Sequence, residues 1–184
     1  MLCKSSIVIL KQFAKKKSMP YIQFEKLNKL RKQFKDKVIV FCSGGFDLTH
    51  PGHVLFLEDC KKHGDILVVG LGSDVVRKID KQDEGRPILN QHLRLKMVSS
   101  LKPVDFAFII RHLPEKHPLD PIDKIFQKLK PDTYVINSDA SHIPYREEMV
   151  KRFDVKLVIL ERWCPPEFDG ISTTKLIDKI KKLN

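Results

Sequence analysis

Two histidines three positions apart, His50 and His53, flank Pro51 and Gly52 in the run Gly44 to His53, GGFDLTHPGH. An apolar stretch, Val38 to Phe41, precedes the run, and a helical pattern, Val54 to Lys62, follows it. A strand, a glycine-rich turn and a helix start in that order present free backbone N–H groups and the positive end of a helix dipole to whatever sits at the turn. Glycine lets the backbone approach an anion closely, and two imidazoles add directed donors, so the chemistry indicated is that of a polyphosphate. Ser43, Gly44, Gly45, His50, Gly52 and His53 are the candidate nucleotide contacts. Phe46 reads first as a core anchor and second as a nucleotide contact. Asp47 reads as a hydrogen-bonding brace of the turn, with contact to substrate phosphate or magnesium as its alternative.

A second feature lies near the end of the chain. Ser172, Thr173 and Thr174 open the last helical pattern just after Asp169-Gly170. A hydroxyl there is first an N-cap, worth about 1 kcal/mol. It also marks a second helix terminus able to hold an anion, and two termini can grip a triphosphate from two sides. A triphosphate attacked by a phosphate monoester gathers much negative charge in a small space, so several cations are expected around it. Arg77, Lys78, Lys81, Arg86 and Arg94 are the candidates.

The elements that must position these groups follow one rhythm. A helical stripe over Tyr21 to Phe34 leads into the strand Val38 to Phe41. Further strands are expected at Ile66 to Leu71, Phe106 to Ile110, Thr133 to Ile136 and Val155 to Leu160. Helices are expected at Val54 to Lys62, from Ser73, at Gln91 to Leu101, Ile122 to Leu129, Glu147 to Phe153 and Ser172 to Leu183. Short apolar strands alternating with helices predict a Rossmann-like α/β fold, a parallel five-stranded sheet with helices on both faces. Ligands bind such sheets beyond the carboxyl ends of the strands, where the strand order switches, and every singled-out loop follows a strand. The expected organisation is a basic, flexible tail over 1–20 and one domain over 21–184, led by a helix over 21–36. Asp83 to Pro87 reads as a mobile loop that closes over substrate.

Composition narrows the class. With 34 basic and 23 acidic residues in 184, the net charge of +11 favours anionic partners, although the lysine runs read as solvated helix faces. Aromatic residues are few and no basic-aromatic stripe occurs, which argues against a nucleic-acid module. Cys3, Cys42, Cys60 and Cys164 have no paired spacing, so neither a zinc site nor a disulfide framework is indicated, and a cytoplasmic protein is expected. The apolar run Ile7 to Leu10 is too short for a membrane span.

On these residues the chain resembles the cytidylyltransferase-like nucleotidyltransferases, whose signature pairs a histidine-x-glycine-histidine turn with a late serine-threonine-threonine helix start. Within that superfamily it resembles the heptose 1-phosphate adenylyltransferase domain of the bifunctional heptose-phosphate enzyme, from about Phe24 to Ile180. The shared features include GRPI at Gly85 to Ile88, Arg94, PVD at Pro103 to Asp105, KPD at Lys130 to Asp132 and FDGISTTKLIDKI near the end. The resemblance implies direct attack of a sugar-phosphate oxygen on the α-phosphorus of a nucleoside triphosphate, with pyrophosphate leaving in line and Mg2+ bound through the nucleotide phosphates. It makes His50, His53, Arg94 and Thr173 the catalytic set, puts Ser172 to Thr174 on the β and γ phosphates, and implies a homodimer.

The chain also departs from the family. Lysine-glycine-glycine-aspartate after the fourth strand becomes Ile136, Asn137, Ser138, Asp139, so only Asp139 persists as a nucleotide contact. Threonine-asparagine-glycine before the motif becomes Cys42, Ser43, Gly44, and the sugar-kinase half has no counterpart in these residues. Glu167-Phe168-Asp169-Gly170 stands where glycerol 3-phosphate cytidylyltransferases carry arginine-threonine-x-glycine, which favours ATP over CTP. The alternatives are a cytidylyltransferase acting on glycerol 3-phosphate or a similar alcohol phosphate, an FMN adenylyltransferase, a nucleic-acid-binding module and a non-catalytic nucleotide sensor.

Overall fold

The structure, a computed structural model, describes residues 21–81, 85–168 and 170–183. The expected tail over 1–20 lies outside the described residues, as do Gln82, residues 83–84 of the expected mobile loop, Asp169 and the side chain of Lys81. Five parallel strands form one sheet: β1 (Ile39–Gly44), β2 (Ile66–Gly72), β3 (Phe106–Ile110), β4 (Thr133–Asn137) and β5 (Lys156–Leu160). Their order is β3-β2-β1-β4-β5, so the chain runs outward from β1 to β3 and then returns to start again on the other side of β1. The expected fold is the observed one. A crevice opens at the switch between β1 and β4, above their carboxyl ends.

The helices are α1 (Leu27–Gln33), α2 (Pro51–Lys61), α3 (Asp74–Lys81), α4 (Gln91–Ser99), α5 (Asp120–Leu129), α6 (Ile143–Phe153) and α7 (Thr173–Lys181). Strand alternation assigns them to faces. Ile39 and Phe41 of β1 point into a core completed by Leu27 and Leu30 of α1, Ile125 and Phe126 of α5, and Met149 of α6. Val40 and Cys42 point the other way, into a core with Leu57 and Cys60 of α2 and Val98 of α4. β1 to β4 therefore bury both faces, which is why their sequences read as continuous apolar runs, while β5 at the sheet edge leaves Lys156 and Ile159 exposed.

Several expected boundaries shift, and three of the shifts matter most. The leading helix over 21–36 is shorter, because Tyr21 and Ile22 lie extended against β3, with the Ile22 N–H bonded to the Ala107 carbonyl at 2.9 Å, and a 3-10 turn over Phe24–Lys26 precedes α1. β1 runs three residues past Phe41 in register with Val69 to Leu71, which carries Ser43 and Gly44 to the edge of the crevice. α6 begins four residues before Glu147, with Pro144 in its first turn, a position where proline's missing N–H costs nothing.

The aspartates of PVD and KPD belong to the opposite end of the sheet. The Asp105 carboxylate accepts the Leu67 N–H at 2.7 Å, and the Asp132 carboxylate accepts the Ile39 N–H at 2.7 Å. Each pins the start of a neighbouring strand and leaves the carboxyl ends free for the site.

Candidate active site

β1 delivers the chain into a tight turn in which Phe46 and Leu48 both adopt positive φ, at 51° and 42°. Such backbone is costly for non-glycine residues and needs surrounding contacts to hold it. Phe46 supplies one by burying its ring in the α2-side core. Asp47 supplies more: only 7% exposed, its carboxylate accepts the N–H groups of Leu48 at 3.1 Å, Ile88 at 2.7 Å and Leu89 at 2.9 Å. Asp47 is thus the expected brace. With its carboxylate committed to three amides, it is not placed as a phosphate contact.

His50 takes extended backbone as the N-cap of α2, and Pro51 occupies the first turn. The two imidazoles stack, with ring centroids 3.9 Å apart and planes 27° apart. The His50 N–H reaches His53 Nδ1 at 3.4 Å, so Nδ1 accepts and the neutral ring carries its proton on Nε2. Burial, then the neighbouring His50 and Arg162, push the His53 pKa down to about 3, against a smaller upward pull from Asp47. Burial and Arg162 lower His50 as well. Both rings are neutral at neutral pH and act as hydrogen-bonding groups rather than as fixed charges. His50 Nδ1 is buried without a partner among the described residues, an orphan that a ligand oxygen or water would satisfy. A Cβ on Gly52 would stand 3.1 Å from His50 Cε1 and 3.5 Å from the Ile171 carbonyl oxygen, so glycine lets this turn pack against the approach to α7.

The second helix terminus meets the first. Ser172 caps α7, its hydroxyl accepting the Lys175 N–H at 3.2 Å. Thr173 Oγ1 donates to the Asp47 carbonyl at 3.0 Å, and Arg86 Nη2 donates to Thr174 Oγ1 at 3.4 Å. Both termini line one cavity of about 710 Å³. Ser43, Gly44, Gly45, Phe46, Asp47, His50, Gly52, His53, Arg77, Arg86, Asp139 and Ser172 to Thr174 all border it. Arg77 lies tight over the turn, where a Cβ on Gly45 would come within 2.6 Å of its Nε.

Two expected cations fall elsewhere. Lys78 is exposed on α3 and does not border the cavity. Arg94 is 0% exposed and lies beneath the turn, donating to the carbonyls of Leu89 at 3.0 Å, Gly45 at 2.6 Å and Gly72 at 2.8 Å and to the Asp74 carboxylate at 2.8 Å. The expected nucleotide contact is instead the post on which three loops rest, because the buried face of α4 aims it at the core side of the turn.

The sequence reading missed Arg146, Arg162 and Trp163, all of which border the cavity. Arg162 pairs with the Asp139 carboxylate at 2.9 Å, and Trp163 is 64% exposed at the rim. Both follow β5, so the rule that such sheets bind ligands beyond their strand ends was the available signal. Among the described residues no group of three or more His, Cys, Asp or Glu side chains could hold a metal ion, and no helix is long and apolar enough to cross a membrane.

Several known proteins are similar to this chain. Bifunctional protein HldE of Campylobacter jejuni subsp. doylei is 36% identical over 176 residues, 90% of this chain and 34% of that protein. HldE of Helicobacter pylori strain P12 is 36% identical over 157 residues, 85% of this chain and 30% of its own length. The chain therefore spans about a third of the length of these curated relatives. FAD synthase of Aciduliprofundum boonei is 38% identical over 146 residues, 78% of this chain and 90% of that protein. Among solved structures, a lipopolysaccharide core biosynthesis protein of Thermoplasma volcanium superposes with TM-score 0.54 at 28% identity, covering 69% of this chain and 97% of the other. The cytidylyltransferase-like family matches residues 41–179, three quarters of the sequence and every element of the cavity, and the chain belongs to that family.

Proposed function

We propose that the chain is a nucleotidyltransferase that moves the nucleoside monophosphate of an NTP, ATP in preference to CTP, to a sugar phosphate of the heptose 1-phosphate class. One observation carries the proposal: the N-termini of α2 and α7, joined by the bond from Thr173 to Asp47, open on one cavity together with Arg77, Arg86 and Arg162. Two dipole ends and three guanidinium groups suit a triphosphate. In the reaction an acceptor phosphate oxygen bonds to the α-phosphorus, the α–β bridging P–O bond breaks, and its electron pair leaves on pyrophosphate. A phosphate monoester is already ionised near neutral pH, so no general base is required. His53 and His50 donate to phosphate oxygens as charge builds, and Ser172, Thr173 and Thr174 hold the leaving β and γ phosphates, Thr173 through its backbone N–H because its hydroxyl donates to Asp47. Preorganised donors of this kind contribute about 2.7–4 kcal/mol each.

Mg2+ carried by the nucleotide fits the cavity, whose side-chain donors suit phosphate oxygens while the Asp47 carboxylate is already engaged. Bound there, it would supply positive charge that offsets the charge building on the leaving group. The enzyme is further proposed to be a cytoplasmic homodimer, in keeping with the free thiols of Cys42, Cys60 and Cys164.

Similarity to an FAD synthase over most of the chain supports a second reading, adenylyl transfer to FMN. Pyrophosphate release with ATP and with CTP, across heptose 1-phosphate, glycerol 3-phosphate and FMN, tests both. Release with ATP and heptose 1-phosphate is the expected result. Release only with FMN selects the second reading, and no release with any pair removes both.

A further inference from the structure

Arg146 is a buried cation without a counter-ion among the described residues. It lies on the inner face of α6 with Met149 and Val150, only 8% exposed, and it borders the cavity, as do Asn137 and Ala140. Nε donates to the Ser141 carbonyl at 2.8 Å, and Nη1 donates to the Tyr134 hydroxyl. Both partners are neutral. Tyr134 is buried in the core, and burial pushes its pKa up, so the phenol keeps its proton. Nη2 has no hydrogen-bond partner among the described residues, and no described carboxylate pairs with Arg146. The nearby acids are committed or remote. Asp139 pairs with Arg162, Glu161 accepts from the Ser138 hydroxyl at 3.1 Å, and Glu147 and Glu148 point to solvent on the outer face of α6.

Taking a guanidinium out of water is costly unless an anion meets it. Its free edge also has the fork geometry suited to an oxyanion. The α2 and α7 termini, with Arg77 and Arg86 beside them, already provide for the triphosphate on the α2 side of β1. Arg146 stands apart from that group, on the α6 side of the sheet at the end of β4. We propose that Arg146 recognises the acceptor, its free Nη2 edge binding an oxyanion on the molecule that receives the nucleotidyl group. The proposal rests on the nucleotidyltransferase function above and adds the residue that selects anionic acceptors.

Arg146→Gln and Arg146→Lys test it by steady-state kinetics with ATP and heptose 1-phosphate. The expected result for Arg146→Gln is an acceptor KM raised about ten- to hundredfold, the range for one charge-assisted hydrogen bond, with the ATP KM unchanged. Added guanidinium should restore part of the loss, which a purely structural role would not allow. Arg146→Lys keeps the charge but not the fork, guards against a variant that fails to fold, and should raise the acceptor KM by less. An unchanged acceptor KM, or a rise in the ATP KM instead, overturns the proposal. If the unaltered protein releases no pyrophosphate, the thermal shift given by heptose 1-phosphate alone decides. A shift present in the unaltered protein and absent from both variants keeps the oxyanion site while the transfer function falls. An equal shift in all three, or none in any, overturns the site as well.

Discussion

Thr173 Oγ1 donates to the carbonyl of Asp47 at 3.0 Å, across 126 positions of sequence. The bond joins the N-terminus of α7 to the turn that launches α2. Asp47 in turn holds the amides of Ile88 and Leu89, so the loop after β1, the loop between α3 and α4 and the loop that leads into α7 meet at one residue. The site is rigid where these loops cross, as a preorganised set of donors must be.

Thr173→Val keeps the shape of the side chain and removes the donor. A single neutral hydrogen bond is worth about 1 kcal/mol, so the unfolding midpoint in urea should fall slightly. Pyrophosphate release should fall by more than that loss implies, because the bond also holds the α7 N-terminus in place at the cavity proposed for the triphosphate. Thr173→Ser should restore both. Full turnover in the valine variant would show that the hydroxyl serves only the fold.

His53→Ala separates chemistry from architecture. The His53 ring is half-buried beside Phe46, with centroids 5.4 Å apart, and its Nδ1 holds only a long bond from the His50 N–H. The fold should survive its loss, with native circular dichroism and cooperative melting. Turnover should drop about a hundredfold or more, the effect of removing one preorganised donor. Turnover near that of the unaltered protein would refute the assigned role.

The local parts of this site were legible in the sequence, and the parts set by helix facing were not. His50, Gly52, His53 and Ser172 to Thr174 are contiguous motifs at strand-to-helix junctions, where spacing alone decides which groups meet an anion. The strands were legible because four of them bury both faces and the edge strand β5 is still an apolar run after Lys156. Arg94 and Arg146 show the limit. Each is an arginine on a helix, and sequence does not say whether such a side chain reaches solvent, a ligand or the underside of a turn. The structure buries both, one with acceptors for each of its nitrogens and one without. Arg162 and Trp163 lie on a segment after β5 with no periodicity to place them.

The depressed pKa of His53 gives stability a defined pH dependence. The folded ring titrates at about 3 and the unfolded ring near the ordinary 6.5. On acidification the unfolded chain takes up this proton first, so stability present above pH 6.5 is lost as pH falls toward 3. Within that window one proton corresponds to about 1.4 kcal/mol per pH unit, and His50 acts in the same direction. His53→Gln should show a shallower fall between pH 6 and 4 when unfolding free energies are compared. Parallel curves for the two proteins would mean that His53 titrates normally in the fold.

Arg94 offers the sharpest contrast between what the sequence suggested and what the structure built. A nucleotide-contacting arginine replaced by lysine would leave the fold intact and weaken ATP binding. The buried Arg94 instead spreads its donors over Leu89, Gly45, Gly72 and Asp74, in directions that a single ammonium cannot cover at once. Arg94→Lys therefore leaves buried carbonyls unpaired and strands a charge, a loss on the order of 3 kcal/mol. The variant should melt well below the unaltered protein, and saturating ATP should not restore the difference. At temperatures where it remains folded, its ATP KM should change only modestly, since the guanidinium does not border the cavity. A variant of undiminished stability with a strongly raised ATP KM would return Arg94 to the phosphates.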